Sequence, residues 1–487
     1  MTIKPATAFI MLILIVIIPL FAHLDASPLA EWDESHLAGN AMEMYYNHNW
    51  IVTMNDNRPD MWQTKPPLMI WLQVMSMKMF GINELAVRLP SALAALGTCL
   101  MLFFFFVKKY KEPLLVLLSV AVLVTSDGFI HSHAARHGEY DILLTMFMTG
   151  YALFYFLYLE EGSKKYIYAT FILLILAGLT KGVQSLLFLP GLFFYTIYKK
   201  KLLTIVKQKE LYIGIVGFIF FVIGYYLLRE HYNPGYIATV WENELGGRYN
   251  SAIEGHQGYP LVYYDFLKTQ FTYWYLLVLP GILYGIYSDQ KWLKDLTIFI
   301  TITAAIYFLI LSNAKTAVFW YSLPAYPFLS VLVAIFIYTI FNALENIDAL
   351  KKKFPLNILP FVFILVIFFA PYTEVKDLAL APPEGFGRTT EIKNMEMLLQ
   401  DVLHNRISIN GYAIADPGNE QQLEWYFRLF NYQHRPITLV DDKDLVPNSM
   451  VVAFKPESKK FIEDHYNTQI LQTYYKSVTA YKLLERK

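Results

Sequence analysis

The chain has 487 residues, 56% of them hydrophobic, 17% aromatic and only 16% charged, with a formal net charge of +0. That balance excludes a soluble protein with one or two cores, offers no basic field for nucleic acid, and fits a polytopic membrane protein with a soluble part attached. The single cysteine, Cys99, excludes an intrachain disulfide and leaves the compartment unread.

In chain order, Lys4 is followed by the apolar run "FIMLILIVIIPLFAHL" at 9–24, with no small-residue cleavage site before Asp25. It reads as a retained first span that also directs insertion. Just beyond stands "EWDESHLAGNAMEM" at 31–44, which places Glu31, Asp33 and Glu34 at a membrane boundary. Acids there are costly unless water, a cation or a partner compensates them. Residues 29–48 are predicted to form an interfacial helix, with Leu37, Ala41, Met44 and Tyr45 on one stripe and Asp33 one turn earlier. On that stripe Asp33 packs inward, whereas Glu34 points about 100° away and Glu31 and Glu43 are solvated. A plainer role for Asp33 is a helix cap.

"QTKPPLMIW" then holds Lys65 before two prolines that start a second interfacial helix over 65–81. A cation in a rigid turn suits a phosphate-bearing lipid, or simply snorkels to the headgroups. Candidate spans are 8–24, 90–107, 113–130, 142–159, 166–180, 183–198, 211–228, 271–287, 296–312, 317–340 and 355–372. With Lys4 in the cytoplasm and alternating spans, the clusters at Lys108–Lys111, Lys164–Lys165, Lys199–Lys209, Lys291–Lys294 and Lys351–Lys353 all fall inside.

The outer side then collects three loops, 25–89, 127–141 and 229–270, together with Lys181 in "GLTKGVQ", Lys315 in "SNAKTA" and the tail. The second loop crowds His131, His133, Arg136, His137, Glu139 and Asp141 before a span, either as polar caps or as a site. No sharp metal spacing is present there. Lys181 interrupts an otherwise apolar stretch, and such charges default to function. The 229–270 loop is rich in Tyr, Gly and His and reads as an ordered lid or acceptor-binding loop.

From Thr373 the sequence turns polar. Helices are expected over 389–405 and in "NEQQLEWYFRLF", with strands in "ISINGYAIA" and "SMVVAF". The expected organisation is therefore a transmembrane catalytic module over 1–372 and a soluble extracytoplasmic α/β domain over 373–487.

The order of an acidic "DE" pair, "KPPL", "RLPSAL", an Asp before "LLT", "TKG" and "LPAYP" over residues 8 to 340 resembles the GT-C type integral-membrane glycosyltransferases. The nearest branch is the dolichyl-phosphate-mannose–protein mannosyltransferase and lipid A aminoarabinose transferase group. Thr64 stands where the aminoarabinose branch tends to carry an acid, and His36 where it tends to carry Arg. The resemblance implies a polytopic α-helical GT-C fold of about 11 spans, within a range of roughly 11–13. It implies Asp33 and Asp141 as the catalytic acids, and Lys65 and Lys181 at the lipid phosphate, with Tyr321 beside it. Glu34, Arg136 and Lys315 complete the expected substrate contacts.

The chemistry expected is transfer of a sugar from a polyprenyl-phosphate donor to a lipid, glycan or protein acceptor at the extracytoplasmic face of a bacterial inner membrane. Asp33 serves as base, and the lysines stabilise the departing phosphate in an inverting displacement. The donor brings its own activation, so no nucleotide site is needed, and no glycine-rich phosphate loop is visible. A divalent cation is the one cofactor left open, with Asp141, His137 and His256 as its ligands. The rival readings are a lipid-linked glycan flippase, which often carries midplane charges and inverted repeats, and an oligosaccharide polymerase or ligase.

Overall fold

The computed structural model describes residues 3–30, 32–131, 133–247, 252, 255–347, 358–380, 390–416, 418, 420–435 and 437–487. Glu31, the Lys351–Lys353 cluster and the start of the expected span at 355 lie outside the described residues. Among the described residues, seven helices are long and apolar enough to cross a membrane: Glu84–Tyr110, Tyr140–Glu161, Lys164–Leu186, Lys209–Tyr232, Lys291–Ser312, Phe319–Glu345 and Leu359–Leu380. The other four expected spans fall on shorter apolar helices, Pro5–Phe21, Pro113–Val124, Leu189–Tyr198 and Tyr275–Ile286. Seven of the eleven expected spans thus coincide with helices of full crossing length among the described residues, and four with shorter apolar helices.

The chain divides into two compact units. The first comprises Met1–Ala22, Asn49–Leu72 and Arg88–Ala381. In it, Pro113–Val124 packs against both Pro5–Phe21 and Tyr326–Glu345. Val278–Ile286 packs against the same Tyr326–Glu345 helix so closely that a Cβ at Gly281 would strike the Leu332 carbonyl. Small residues at such contacts let helix backbones approach, and dispersion then holds them in an apolar solvent.

One helical hairpin positions the site. Tyr140–Glu161 ends at Gly162, whose φ of 70° lets its N–H reach the Tyr158 carbonyl. Lys164–Lys181 follows and packs back along it. At 1.5 Å per residue the two arms run about 33 Å and about 27 Å. The start of the first arm is thus brought level with the end of the second.

The Asn49–Leu72 segment carries a short hairpin, β1 (Met54–Asn55) and β2 (Arg58–Pro59). Asp56 and Asn57 both sit at positive φ, 54° and 57°, as a two-residue hairpin turn demands. The buried Arg229 pins this segment, donating to the carbonyls of Ile51 and Asp60 and to the Thr53 hydroxyl.

The second unit comprises His23–His48, Gln73–Val87 and Pro382–Lys487. Its centre is a mixed five-stranded sheet in the order β4-β3-β5-β7-β6, from β3 (Tyr412–Ala415), β4 (Thr438–Val440), β5 (Met450–Ala453), β6 (Tyr466–Tyr474) and β7 (Val478–Arg486). β3 pairs in parallel with β4 and β5, and β7 runs antiparallel to β5 and β6. Ala415, Val451, Ala453, Ile462, Tyr466, Tyr481 and Leu483 form its core. The expected strands are β3 and β5, and the expected helices are Thr390–Leu403 and Gln421–Tyr432. β6 is an edge strand exposed along most of its length, so it lacks the short apolar run that marks β3 and β5.

Candidate active site

The helical hairpin places a carboxylate and an ammonium where each is electrostatically favoured. Asp141 lies in the first turn of Tyr140–Glu161, at the positive end of the helix dipole. Lys181 is the last residue of Lys164–Lys181, at the negative end. Lys181 Nζ lies 2.6 Å from Asp141 Oδ1 and 2.7 Å from Oδ2, and both residues are buried. The same ammonium sits over the Tyr321 ring, 5.1 Å from its centroid. Tyr321 belongs to the 3-10 turn Phe319–Ala325, and its carbonyl accepts the Tyr307 hydroxyl at 2.6 Å.

Gly182 explains the "TKG" motif. It ends the Lys181 helix at φ 51°, a conformation that favours glycine. A Cβ there would meet the Tyr226 hydroxyl and approach Pro66 to 3.8 Å. The close approach brings the "KPPL" turn against the end of the Lys181 helix.

That turn is built locally. The Asp60 carboxylate accepts the N–H groups of Trp62 and Gln63, at 3.0 and 3.3 Å. The prolines that follow lead into Leu68–Phe80, whose Trp71 N–H reaches the Pro67 carbonyl. Lys65 Nζ lies 3.3 Å from Glu244 Oε1 and 5.9 Å from the centre of the Tyr140 ring. The Thr64 hydroxyl donates to the same Glu244 oxygen at 2.7 Å. Tyr140 adjoins Asp141 in sequence, so the first turn of one helix serves both clusters, Tyr140 facing Lys65 and Asp141 holding Lys181.

Asp33 heads the helix Asp33–Asn47 in the second unit, after Trp32 at φ 59°. The expected inward stripe is partly overturned. Asp33 is exposed, whereas Glu34 is fully buried and its Oε2 accepts the Ala30 N–H at 2.6 Å. The helix begins only at Asp33, so Glu34 turns back to hold the chain before it. Glu43, expected to be solvated, is buried and paired with Arg428 at 3.2 Å.

Arg136 and Lys315 are placed away from the lysine clusters' hydrogen bonds. The Arg136 guanidinium donates to the carbonyls of Pro19, Ala22 and Ala379 at 3.2, 2.8 and 3.3 Å, closing the ends of two helices. Burial, with Arg88 adding like charge, pushes its pKa down to about 10. Lys315 is exposed on a turn whose strand-like bridge, Gln257 with Thr316, ties down the end of the long loop. The expected cation set is not assembled: among the described residues, Asp141, His137 and His256 form no group of close ligand atoms. Asp141 turns both oxygens to Lys181, His137 Nδ1 faces the His131 carbonyl at 3.2 Å, and His256 lies edge-on to Trp320. His133 instead pairs with the buried Glu139 and stacks on Trp320 at 3.8 Å.

The part that sequence reading missed is Glu244, in the turn Trp241–Gly247, and with it the Tyr140 and Tyr307 contacts. Glu244 lies 180 residues from Thr64, and no local pattern joins them.

The family model described as dolichyl-phosphate-mannose-protein mannosyltransferase matches residues 64–226. A protein of uncharacterised function from Aquifex aeolicus is 23% identical over 74% of this chain and 68% of its own length. The undecaprenyl phosphate-alpha-4-amino-4-deoxy-L-arabinose arabinosyl transferase of Aeromonas hydrophila is 24% identical over 64% of this chain, and the match spans 56% of the relative. The crystal structure of ArnT from Cupriavidus metallidurans bound to undecaprenyl phosphate superimposes with a TM-score of 0.70. That match is at 15% identity and covers 98% of both chains. The chain thus shares the GT-C fold of that structure, and the stretch matched by the mannosyltransferase family model takes in both the "KPPL" and the "TKG" motifs.

Proposed function

We propose that the chain moves a sugar from a polyprenyl-phosphate donor to an acceptor at the extracytoplasmic membrane face, with Asp33 as base and Lys65 and Lys181 at the donor phosphate. The observation that carries this reading is the pair of lysine clusters at the ends of apolar helices: Lys181 on Asp141 and Tyr321, and Lys65 over Tyr140. A donor whose lipid stays in the bilayer presents its phosphate at that level, and positive charge held there stabilises it as it leaves.

In the step proposed, Asp33 takes the proton of the acceptor hydroxyl or amine as that atom attacks the anomeric carbon. The bond from that carbon to the phosphate oxygen breaks, and the electron pair leaves with the phosphate. One displacement inverts the configuration and needs no enzyme nucleophile. Asp141 fixes Lys181, so that the ammonium is already oriented when charge develops. The N-terminus is assigned to the cytoplasm and the second unit to the outside, following the lysine distribution of the loops. An aminopentose is the first sugar to test, because the Aeromonas hydrophila relative is named for one.

The test is transfer by purified protein in lipid vesicles, with radiolabelled undecaprenyl-phosphate aminoarabinose, mannose or glucose and a membrane extract as acceptor. Label passing to lipid, glycan or protein supports the reading. Label that only crosses the vesicle wall supports a flippase instead, and label that stays on the donor refutes the transferase.

A further inference from the structure

Glu244 holds the Lys65 ammonium at 3.3 Å and accepts the Thr64 hydroxyl with the same oxygen at 2.7 Å. The four charged groups around the two clusters, Lys65, Lys181, Asp141 and Glu244, sum to zero. Lys181 is already engaged by both oxygens of Asp141. Arg136 donates to three helix-end carbonyls, and Lys315 is exposed on its turn. An arriving phosphate therefore meets a site whose available cation already carries a carboxylate. Two anions on one half-buried ammonium repel each other more strongly than they would in water.

We infer that Glu244 is a resident competitor for Lys65: it occupies the lysine until a polyprenyl phosphate displaces it, and so sets the affinity for the donor. The inference rests on the assignment of Lys65 to the donor phosphate. The carboxylate comes from the loop after the Lys209–Tyr232 helix, whereas the lysine comes from the first outer loop, so exchange of partners also moves one loop against another. Thr64 sets the strength of the competition, because its hydroxyl keeps the carboxylate in place. The product, a free polyprenyl phosphate, is expelled by the same return of Glu244 to Lys65.

The experiment measures binding, without turnover, of fluorescent undecaprenyl phosphate to the purified full-length protein in detergent. Glu244→Gln keeps an acceptor for Thr64 but removes the charge, and is expected to bind the lipid roughly three- to tenfold tighter. Thr64→Val removes the hydroxyl that holds the carboxylate and is expected to move affinity the same way by less. In a Lys65→Met background, Glu244→Gln should change nothing, since the contested cation is gone. Thermal unfolding of each variant checks that it is folded. Equal or weaker lipid binding by folded Glu244→Gln and Thr64→Val overturns the inference. Lipid binding that is absent in the parental protein, or indifferent to Lys65→Met, overturns instead the donor-site assignment beneath it.

Discussion

Lys181 and Asp141 form a two-toothed ion pair, Nζ to Oδ1 at 2.6 Å and to Oδ2 at 2.7 Å, although 40 residues separate them. The pair closes the hairpin of two apolar helices, and each partner is buried. Removing one partner strands a buried charge, which costs about 3–5 kcal/mol, whereas replacing both by apolar groups of like volume is often neutral. Asp141→Leu should therefore lower the melting temperature in detergent, and Asp141→Leu with Lys181→Met should recover it. Transfer should be lost in both. Recovery of transfer along with stability would assign the pair to the fold alone.

Asp33 gives the most direct test of the chemistry. Asp33→Asn keeps the size and the start of the helix but cannot take a proton. Transfer should fall by about 10²- to 10⁴-fold, while expression, melting temperature and lipid binding stay at parental values. A folded Asp33→Asn protein that transfers at near the parental rate removes Asp33 from the mechanism.

How much of this was legible before the fold is clearest at particular residues. Asp141 and Lys181 each interrupt an apolar pattern at a span end, so the cost of burying charge marked both. Lys65 was marked by the prolines that fix its turn. Glu244 carried no such mark, because it sits in a polar loop where another acid is unremarkable and its partners lie far off in sequence. Leu37, Ala41 and Met44 are buried as their spacing implies, but Asp33 is the first helical residue and stays exposed, while Glu34 is buried because it folds back onto the Ala30 N–H, an end effect that periodicity does not carry. The strands β3 and β5 declared themselves by short apolar runs, whereas the edge strand β6 is mostly solvent-facing and has no such run.

The second unit contains a titratable contact with a definite sign. The buried Glu84 accepts the Tyr426 hydroxyl at 2.6 Å and meets His404 Nε2 at 3.2 Å. The hydrogen bond and charge of Glu84 raise the His404 pKa above 6.5. A histidine whose folded pKa is raised stabilises the fold fully below its unfolded pKa, and that contribution is lost as pH rises through the folded pKa. Melting temperature should thus decline on going from mildly acidic to mildly alkaline buffer, and His404→Gln should flatten that slope. Parallel pH profiles for the two proteins would remove His404 as the cause.

Arg428 ties the helix that carries Asp33 to the C-terminal α/β fold. Its guanidinium reaches the buried Glu43 at 3.2 Å and Glu424 at 2.7 Å, and nearby Tyr46 stacks on Tyr432 with ring centres 4.1 Å apart. Glu43 and Tyr46 lie on Asp33–Asn47, and Arg428 and Tyr432 on Gln421–Tyr432. A base held by such a helix is only as well aimed as the helix, and a displacement of about 1 Å can cost on the order of 10²-fold in rate. Arg428→Met should therefore lower kcat while leaving KM for the lipid donor near its parental value, because the lysines proposed to hold the donor belong to the other unit. Arg428→Lys, which keeps the charge against Glu43, should recover part of the rate. If Arg428→Met instead raises KM with kcat intact, the C-terminal fold contributes to donor binding rather than to the aim of Asp33.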